Sequence, residues 1–524
     1  MTTSSIRSFS LWHALATLAM AVATAGHAQN VDRLVTRRWF NPQNQQPSLL
    51  AVQAVRQLAT ADAEGLSPQD YQAAELEHAL ASAVKAPLSV EEGARLDTRI
   101  NQSVVRYLND LQRGRINPHT IGENYSRDDR PILDTENLLE QAAQKGSLES
   151  VWQTAIPRVP MYAGLRTQLQ RYLRLHNDPA WSEPLPAPVK GKAASAGMGE
   201  VVRNRLVQRL VLLGDMSADA ARDPASLESA LPVALKAFQL RHALNETGQA
   251  DRATIEQLNV SPAERAEQIA QTMERLRWAP LHQQRRMIVV NVPEFRLRMY
   301  TLTDDGAVQS VLPINVIVGK ASGTRTPLFN KDMVRVEFNP YWNVPLSIAR
   351  KEMVPRLQRD PGYVDRNNFE IVGPSGGRFS VTPETLAALA SGNMRIRQRP
   401  GRGNALGGVK FIFPNKDNIY LHHTSSPGLF NRDDRALSHG CVRVEDPVAL
   451  AKFVLQDDPQ WPEQRIRQVM DKRISSTVQI KEPIPVILTY LTAVIDETGR
   501  LRFLPDVYGQ DRALKQALQK RNRG

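Results

Sequence analysis

The chain has a single cysteine, and it lies in a short segment that also holds three of the ten histidines. This segment reads IYLHHT at residues 419–424 and, one loop later, SHGCVR at residues 438–443. A thiol attacks as the thiolate, and at neutral pH a free thiol is mostly protonated. An adjacent imidazole can accept that proton and stabilise the resulting ion pair. Cys441 therefore has the neighbours that nucleophilic thiol chemistry requires.

Gly440 stands directly before the cysteine, where the backbone must turn. Glycine permits backbone angles that other residues resist. Such a turn can aim successive N–H groups at one point, and the oxyanion of an acyl transfer needs preorganised donors of that kind. We expect backbone N–H groups near Gly440 and Cys441 to form an oxyanion hole.

Three interpretations fit these residues: a Cys/His acyl-transfer enzyme, a zinc site, and an inert packed thiol beside structural histidines. A zinc site would draw its ligands from His422, His423, His439 and Cys441. Adjacent histidines on a strand point to opposite faces, so a site with four ligands fits poorly. The residue types alone leave all three interpretations open.

The same segment resembles the signature of the L,D-transpeptidases with a YkuD-type catalytic domain, a histidine followed further along by Ser/Thr-His-Gly-Cys. His422 and residues 438–441 match it in order and distance. The chain is also similar to the large Gram-negative YcbB-like subgroup in these stretches: residues 317–320, 326–327, 338–345, 400–407 and 505–508. This likeness runs from about residue 286 to residue 510.

The resemblance implies that Cys441 is the nucleophile and that His422 is the general base. It places Arg443 in the pocket, where it would bind an anionic part of the donor. It gives supporting or oxyanion roles to three residues of the signature: Ser438, His439 and Gly440. It implies no metal and no other cofactor.

One position departs from the subgroup, which usually has aspartate after the base histidine. This chain has His423 there. If that side chain were the third catalytic element, the triad would be incomplete. If a backbone carbonyl orients His422, as the family suggests, the substitution is tolerable.

The activity that the resemblance implies is a peptidoglycan L,D-transpeptidase that works through a cysteine thioester. Its partners would be a donor tetrapeptide stem and the diaminopimelate amine of an acceptor stem, which it joins in a 3–3 cross-link. The alternatives are an L,D-carboxypeptidase that trims stem peptides and a non-enzymatic peptidoglycan-binding scaffold. No nucleic acid is expected as a partner, and the protein would associate peripherally with the cell wall.

The composition fits a multidomain globular protein with acidic partners. The 524 residues exceed one hydrophobic core at roughly 100–200 residues per domain. The formal net charge of +12 favours nucleic acid, anionic lipid or an anionic wall polymer, without choosing among them.

The first 28 residues have the pattern of a secretory signal peptide. Arg7 lies in a short basic start, and an apolar run follows from Leu11 to Ala25. Small residues at Gly26 and Ala28 predict cleavage after Ala28. The chain is therefore expected in the periplasm, with an uncleaved N-terminal anchor as the alternative.

The expected fold is an α+β multidomain chain, because the hydrophobic period changes from helical to two near residue 286. Strand patterns follow at residues 311–318, 334–338, 409–413 and 419–422, and a final hairpin is expected at 486–495 and 501–504. The predicted domains are a signal peptide (1–28), a helical scaffold (29–175), a linker (176–199), a small helical peptidoglycan-binding-like module (200–260), a connecting helix (261–285), a mainly β YkuD-type catalytic domain (286–510) with a helical capping insertion (about 350–399), and a C-terminal tail (511–524).

Overall fold

The computed structural model describes residues 38–41, 43–125, 132–187, 199–278, 285–303, 308–311 and 313–521. The predicted signal peptide lies outside the described residues, as does most of the later half of the predicted linker. The chain divides into two compact units: residues 1–121, 127–278 and 492–524, and residues 122–126 and 279–491. Within the described ranges, no helix is both long and apolar enough to cross a membrane.

The first unit is helical up to residue 278. Its helices are α1 (Leu49–Ala59), α2 (Ala73–Lys85), α3 (Val90–Arg113), α4 (Thr135–Lys145), α5 (Glu149–Ala155), α6 (Pro160–Arg174), α7 (Glu200–Leu213), α8 (Ala218–Arg222), α9 (Pro224–Arg241), α10 (Arg252–Asn259) and α11 (Pro262–Trp278). The capping box expected before α11 is present, since Ser261 and Glu264 bond each other's backbone N–H groups. The predicted helical N-terminal region is confirmed.

A small apolar cluster organises residues 199–260. It joins α7, α9 and α10 and also includes Leu185, which comes from the predicted linker. The Leu185 N–H donates to Asn259 Oδ1 at 2.8 Å. At Leu185, the described part of that linker therefore packs on the helical module.

The second unit is built mainly of strands. They are β1 (Glu123–Asn124), β2 (Arg286–Asn291), β3 (Arg296–Leu302), β4 (Val308–Ser310), β5 (Ile314–Gly319), β6 (Leu328–Phe338), β7 (Trp342–Asn343), β8 (Phe369–Val372), β9 (Arg378–Phe379), β10 (Arg395–Gln398), β11 (Val409–Ile412), β12 (Leu421–His422), β13 (Ala436–Ser438), β14 (Val442–Val444) and β15 (Ser476–Thr489). The large mixed sheet has the order β13-β5-β14-β12-β11-β6-β15-β2-β3-β4, and β1 pairs with β6. A further pairing of β3 with β5 closes this path on itself. The predicted mainly β region is confirmed.

An insertion spans residues 339–408, between β6 and β11. Because Phe338 lies opposite Val409, the insertion leaves and returns at adjacent points of the sheet. It contains α12 (Leu346–Ile348), a π-helical turn (Ala349–Met353), α13 (Val354–Arg359), α14 (Tyr363–Arg366), α15 (Pro383–Ser391) and a small sheet of order β7-β10-β8-β9. Its own apolar cluster includes Leu357 and Ile371. The insertion was expected to be helical, but it contains both helices and strands. Residues 395–398, for example, form strand β10.

The last part of the chain differs from the predicted boundaries. After α16 (Pro447–Leu455) and α17 (Glu463–Asp471), β15 runs inside the large sheet and does not begin a hairpin. The hairpin is instead β16 (Ala493–Ile495) with β17 (Leu501–Phe503), followed by α18 (Gln510–Arg521). Residues 492–524 belong to the first unit, so the expected domain end at residue 510 and the expected tail do not describe this segment.

Candidate active site

A row of paired residues crosses the large sheet at the candidate site. Glu337 on β6 lies opposite Lys410 on β11, Lys410 lies opposite His422 on β12, and His422 lies opposite Arg443 on β14. Residues opposite each other on neighbouring strands project to the same face. Strand pairing therefore brings two cations and an imidazole to one surface.

The turn before the cysteine is held by side-chain hydroxyls. Gly440 has φ +117, a region that favours glycine. The Ser438 hydroxyl donates to the Cys441 carbonyl and accepts from the Gly440 N–H at 3.1 Å. Thr326 Oγ1 donates to the Gly440 carbonyl at 2.8 Å. The expectation that Gly440 makes the turn agrees with this geometry.

The same contacts reduce the number of backbone N–H groups that could form the expected oxyanion hole. The Gly440 N–H is already bonded to the Ser438 hydroxyl, so it is not free to meet a substrate oxygen. Among the described residues, the Cys441 N–H has no acceptor. The Cys441 N–H is therefore the donor of this turn that could stabilise an oxyanion.

The Cys441 thiol is partly buried and donates to the Asn418 carbonyl at 3.7 Å. Burial raises the pKa of this thiol above its ordinary value. Hydrogen bonds from the backbone N–H and the hydroxyl of Tyr420 act against that rise in pKa, as do the charges of Lys410 and Arg443. The resting sulfur is therefore a thiol with several groups placed to stabilise its thiolate.

His422 is buried, and its Nδ1 bonds to the His423 carbonyl oxygen. A carbonyl only accepts, so Nδ1 carries the hydrogen and Nε2 keeps a lone pair. Burial and the charge of Arg443 lower the pKa of His422 to about 3. The imidazole is neutral near pH 7, and the resting pair is thiol and imidazole, whereas an ion pair was expected.

The described hydrogen bonds do not join Cys441 Sγ to His422. Both side chains nevertheless line one cavity of about 750 Å³. Tyr420 connects them, since its hydroxyl bonds the sulfur and its ring centroid lies 5.7 Å from that of His422. Hydrogen bonds of catalytic groups are often long before substrate binds and tighten in the complex.

The other two histidines of the segment have separate partners. The imidazole of His423 accepts from the Gly408 N–H at 3.1 Å. His439, for which a supporting or oxyanion role was expected, has its Nε2 2.8 Å from Glu352, so its side chain contacts the insertion. These contacts do not bring the four proposed zinc ligands together.

Arg443 lines the cavity and, within the part of the chain that the structure describes, forms no ion pair with a carboxylate. Burial lowers the pKa of its guanidinium, and the Cys441 thiolate acts in the opposite direction. An arginine in this setting attracts an anion.

Two further residues of the site, Lys410 and Tyr420, were missing from the sequence expectations. Lys410 Nζ lies 4.1 Å from the centroid of the Tyr420 ring and 3.7 Å from Glu337. A sequence signal exists for Tyr420, because it stands two residues before His422 on a strand pattern and so shares its face. Lys410 depends on the pairing of β11 with β12, which strand periodicity does not give.

Two family models match this chain, one in the helical N-terminal region and one in the mainly β region. Residues 285–470 match the family model YkuD, the L,D-transpeptidase catalytic domain, and residues 33–169 match a model described as a scaffold domain. A Haemophilus influenzae protein named "Putative L,D-transpeptidase" is 38% identical over 233 residues, which are 44% of this chain and 45% of that protein. The chain thus matches less than half of that relative's length.

A solved structure of Bdellovibrio bacteriovorus Bd1075 covers 45% of this chain and 56% of its own. At 12% identity and a TM-score of 0.15, it says nothing more about this fold. The expected resemblance to the L,D-transpeptidases is confirmed for the catalytic region, and membership of the YcbB-like subgroup stays a prediction. Residues 285–470 of this chain match an L,D-transpeptidase catalytic domain of the YkuD family, and a helical region that matches a scaffold domain precedes them.

Proposed function

We propose that this chain is a peptidoglycan L,D-transpeptidase that forms 3–3 cross-links through a thioester on Cys441. The observation that carries the proposal is the tautomer of His422, whose Nδ1 donates to a backbone carbonyl. The unprotonated Nε2 remains as a base in the cavity that holds the thiol. The same contact removes the need for a carboxylate at position 423.

In the first step, the thiol proton passes to His422 Nε2. The thiolate then attacks the carbonyl carbon of the third residue of a donor tetrapeptide. A C–S bond forms and the C–N bond to D-alanine breaks. The imidazolium returns its proton to the departing amine. The Cys441 N–H donates to the oxyanion, and Arg443 binds a carboxylate of the donor.

In the second step, the diaminopimelate side-chain amine of an acceptor stem attacks the thioester. A C–N bond forms and the C–S bond breaks. His422 accepts the proton of the attacking amine and then protonates the sulfur, which restores the resting pair. Donor and acceptor use one site in turn, so ping-pong kinetics are expected. The periplasm is the proposed compartment, on the pattern of residues 1–28.

The test is mass spectrometry of the purified chain incubated with a disaccharide tetrapeptide. The parent is expected to carry a peptidyl adduct on Cys441 and to release 3–3 dimers. Cys441→Ala is expected to do neither, and His422→Gln to slow both. His78→Gln, at an exposed histidine of the first unit, is the matched control. Trimmed monomers alone would favour the carboxypeptidase, and dimers from Cys441→Ala would overturn the proposal.

A further inference from the structure

The small sheet of the insertion carries a cluster of arginines around one buried carboxylate. Glu370 on β8 lies opposite Arg397 on β10, and Arg397 lies opposite Asn343 on β7. The carboxylate of Glu370 is 2% exposed and pairs with the Nε atoms of three arginines. We name the set Arg378, Arg397 and Arg399 the arginine platform.

The arginine platform holds more positive charge than Glu370 can neutralise. Burial opposes ionisation of Glu370, yet the arginines hold the pKa of this carboxyl below its ordinary value. One carboxylate therefore faces three guanidinium groups, which leaves two positive charges. Their side chains are 61%, 32% and 40% exposed for Arg378, Arg397 and Arg399.

Each arginine of the platform uses its Nε for Glu370. Over the described residues, the terminal nitrogens of these three guanidinium groups have no hydrogen-bond acceptor. Those nitrogens form the planar fork that binds a carboxylate through two parallel hydrogen bonds. Glu370 thus fixes the arginines while their binding edges stay available.

The arginine platform adjoins the catalytic cavity. Asn343, which lies opposite Arg397, lines that cavity together with Trp342. The Arg397 guanidinium also stacks 4.5 Å from the centroid of the Tyr341 ring, which fixes its position beside β7. A peptide that leaves the cavity along β7 would meet the platform.

We propose that the arginine platform binds free carboxylates of a peptidoglycan stem peptide whose reacting part occupies the catalytic cavity. This site is outside the cavity and distinct from Arg443, and the proposal rests on the proposed function. A carboxylate-bearing peptide is favoured over a lipid phosphate because the same strand, β7, forms the wall of the cavity and the edge of the platform. Stem peptides carry several free carboxylates, so one molecule has a group for Arg443 and a further group for the platform.

The test measures binding to the full chain with Cys441→Ala, which prevents turnover. The probe is a disaccharide tetrapeptide, compared with the same compound after its free carboxylates are converted to amides. Arg378→Gln and Arg399→Gln are each expected to weaken binding of the acid form by roughly threefold to tenfold. Neither variant should change binding of the amidated form. Arg359→Gln, at an exposed arginine on α13, is the matched control and should leave both affinities unchanged.

Two results would contradict carboxylate binding by the platform. One is that both arginine variants bind the acid probe as tightly as the Cys441→Ala chain does. The other is that the variants lose the same affinity for the acid and the amidated probe. Phosphatidylglycerol vesicles that bind the parent, lose binding in these variants and displace no tetrapeptide would assign the platform to lipid instead. Formation of the peptidyl adduct is measured separately, with the full chain that retains Cys441. If adducts form and the arginine variants bind normally, the platform alone fails. If no adduct forms, the proposed function fails whatever the binding data show.

Discussion

At Cys441, burial and local hydrogen bonding have opposite effects on the same proton. Burial disfavours the thiolate, while Tyr420, Lys410 and Arg443 favour it. At His422, burial and nearby cations favour the neutral imidazole. Under the proposed function, the thiol proton is therefore expected to transfer at the moment of attack to an imidazole that is already neutral, and not to be held in a preformed ion pair.

This arrangement predicts an unusual pH dependence of acylation. With a pKa of about 3, His422 is unprotonated at every pH from about 4 upward. Because the pKa of Cys441 is raised, the thiolate fraction continues to increase above pH 7. We expect kcat/KM for adduct formation to rise with pH and to show no inflection near the ordinary histidine pKa of about 6.5. Single-turnover mass spectrometry across this range is the measurement, and an inflection at that pH would contradict the assignment.

Tyr420→Phe tests the hydroxyl that bonds the sulfur. Its loss removes one hydrogen bond from the thiolate, so the pKa of Cys441 should rise and acylation near pH 7 should slow roughly tenfold. The rate should recover at higher pH, where ionisation no longer limits it. Tyr363→Phe, in the insertion, is the control. A uniform loss of rate at every pH, together with a lower melting temperature, would indicate a structural role only.

At this scale, the sequence could supply the reactive residues but not all of their neighbours. Cys441, His422 and Arg443 were expected in one pocket, and all three line one cavity. Strand alternation predicts which residues share a face within a strand, so Tyr420 could have been found. Lys410 could not, because its position beside His422 depends on which strands pair. His439 contacts Glu352, which lies 87 residues away in sequence.

At the scale of elements, the insertion connects two antiparallel neighbouring strands of the large sheet, β6 and β11. The two residues that flank it, Phe338 and Val409, are direct partners, so removing what lies between them leaves the pairing of β6 with β11 possible. It also has an apolar cluster of its own. The insertion is therefore expected to contribute to the cavity more than to the stability of the large sheet.

Replacing residues 346–398 with a short Gly/Ser turn tests this expectation. Acyl transfer should fall at least tenfold, because Glu352 and neighbouring residues of the cavity wall are lost. The circular dichroism spectrum should keep its strand signal, and the chain should still melt cooperatively. Alkylation of Cys441 should remain measurable. Loss of the folded state would assign the insertion to the core.

The elements were predictable where period and turn chemistry are local. The strands at residues 334–338 and 409–413 and the cap of α11 follow from patterns within a few residues. The small sheet of the insertion was not predicted, because β7 and β9 have two residues each and no readable period. The boundary between the two units near residue 491 was also missed. It depends on which unit the hairpin of β16 and β17 packs against, and the sequence alone does not give those tertiary contacts.

At the scale of the whole molecule, the longer of the two segments that form the second unit ends at residue 491, and the chain returns to the first unit at residue 492. The returning segment is held by charged contacts. Arg521 on α18 donates to Asp110 at 2.8 Å, and Arg275 on α11 pairs with Asp511. The Arg275 side chain is fully buried, so this second pair lies in an environment where loss of one charge is costly.

Asp511→Asn tests whether this returning segment stabilises the first unit. The substitution removes the carboxylate that neutralises buried Arg275, so unfolding of that unit should become easier by about 3 kcal/mol. Asp219→Asn removes the partner of Arg222 in a pair that is almost fully exposed, and it should cost less than about 1 kcal/mol. Calorimetry gives the loss of stability, and limited proteolysis with mass spectrometry locates it. Early cleavage within residues 200–278 of Asp511→Asn would agree with the assignment. First cleavage within residues 286–491, or equal stability of the two variants, would show that the C-terminal helix is not needed to hold the helical unit together.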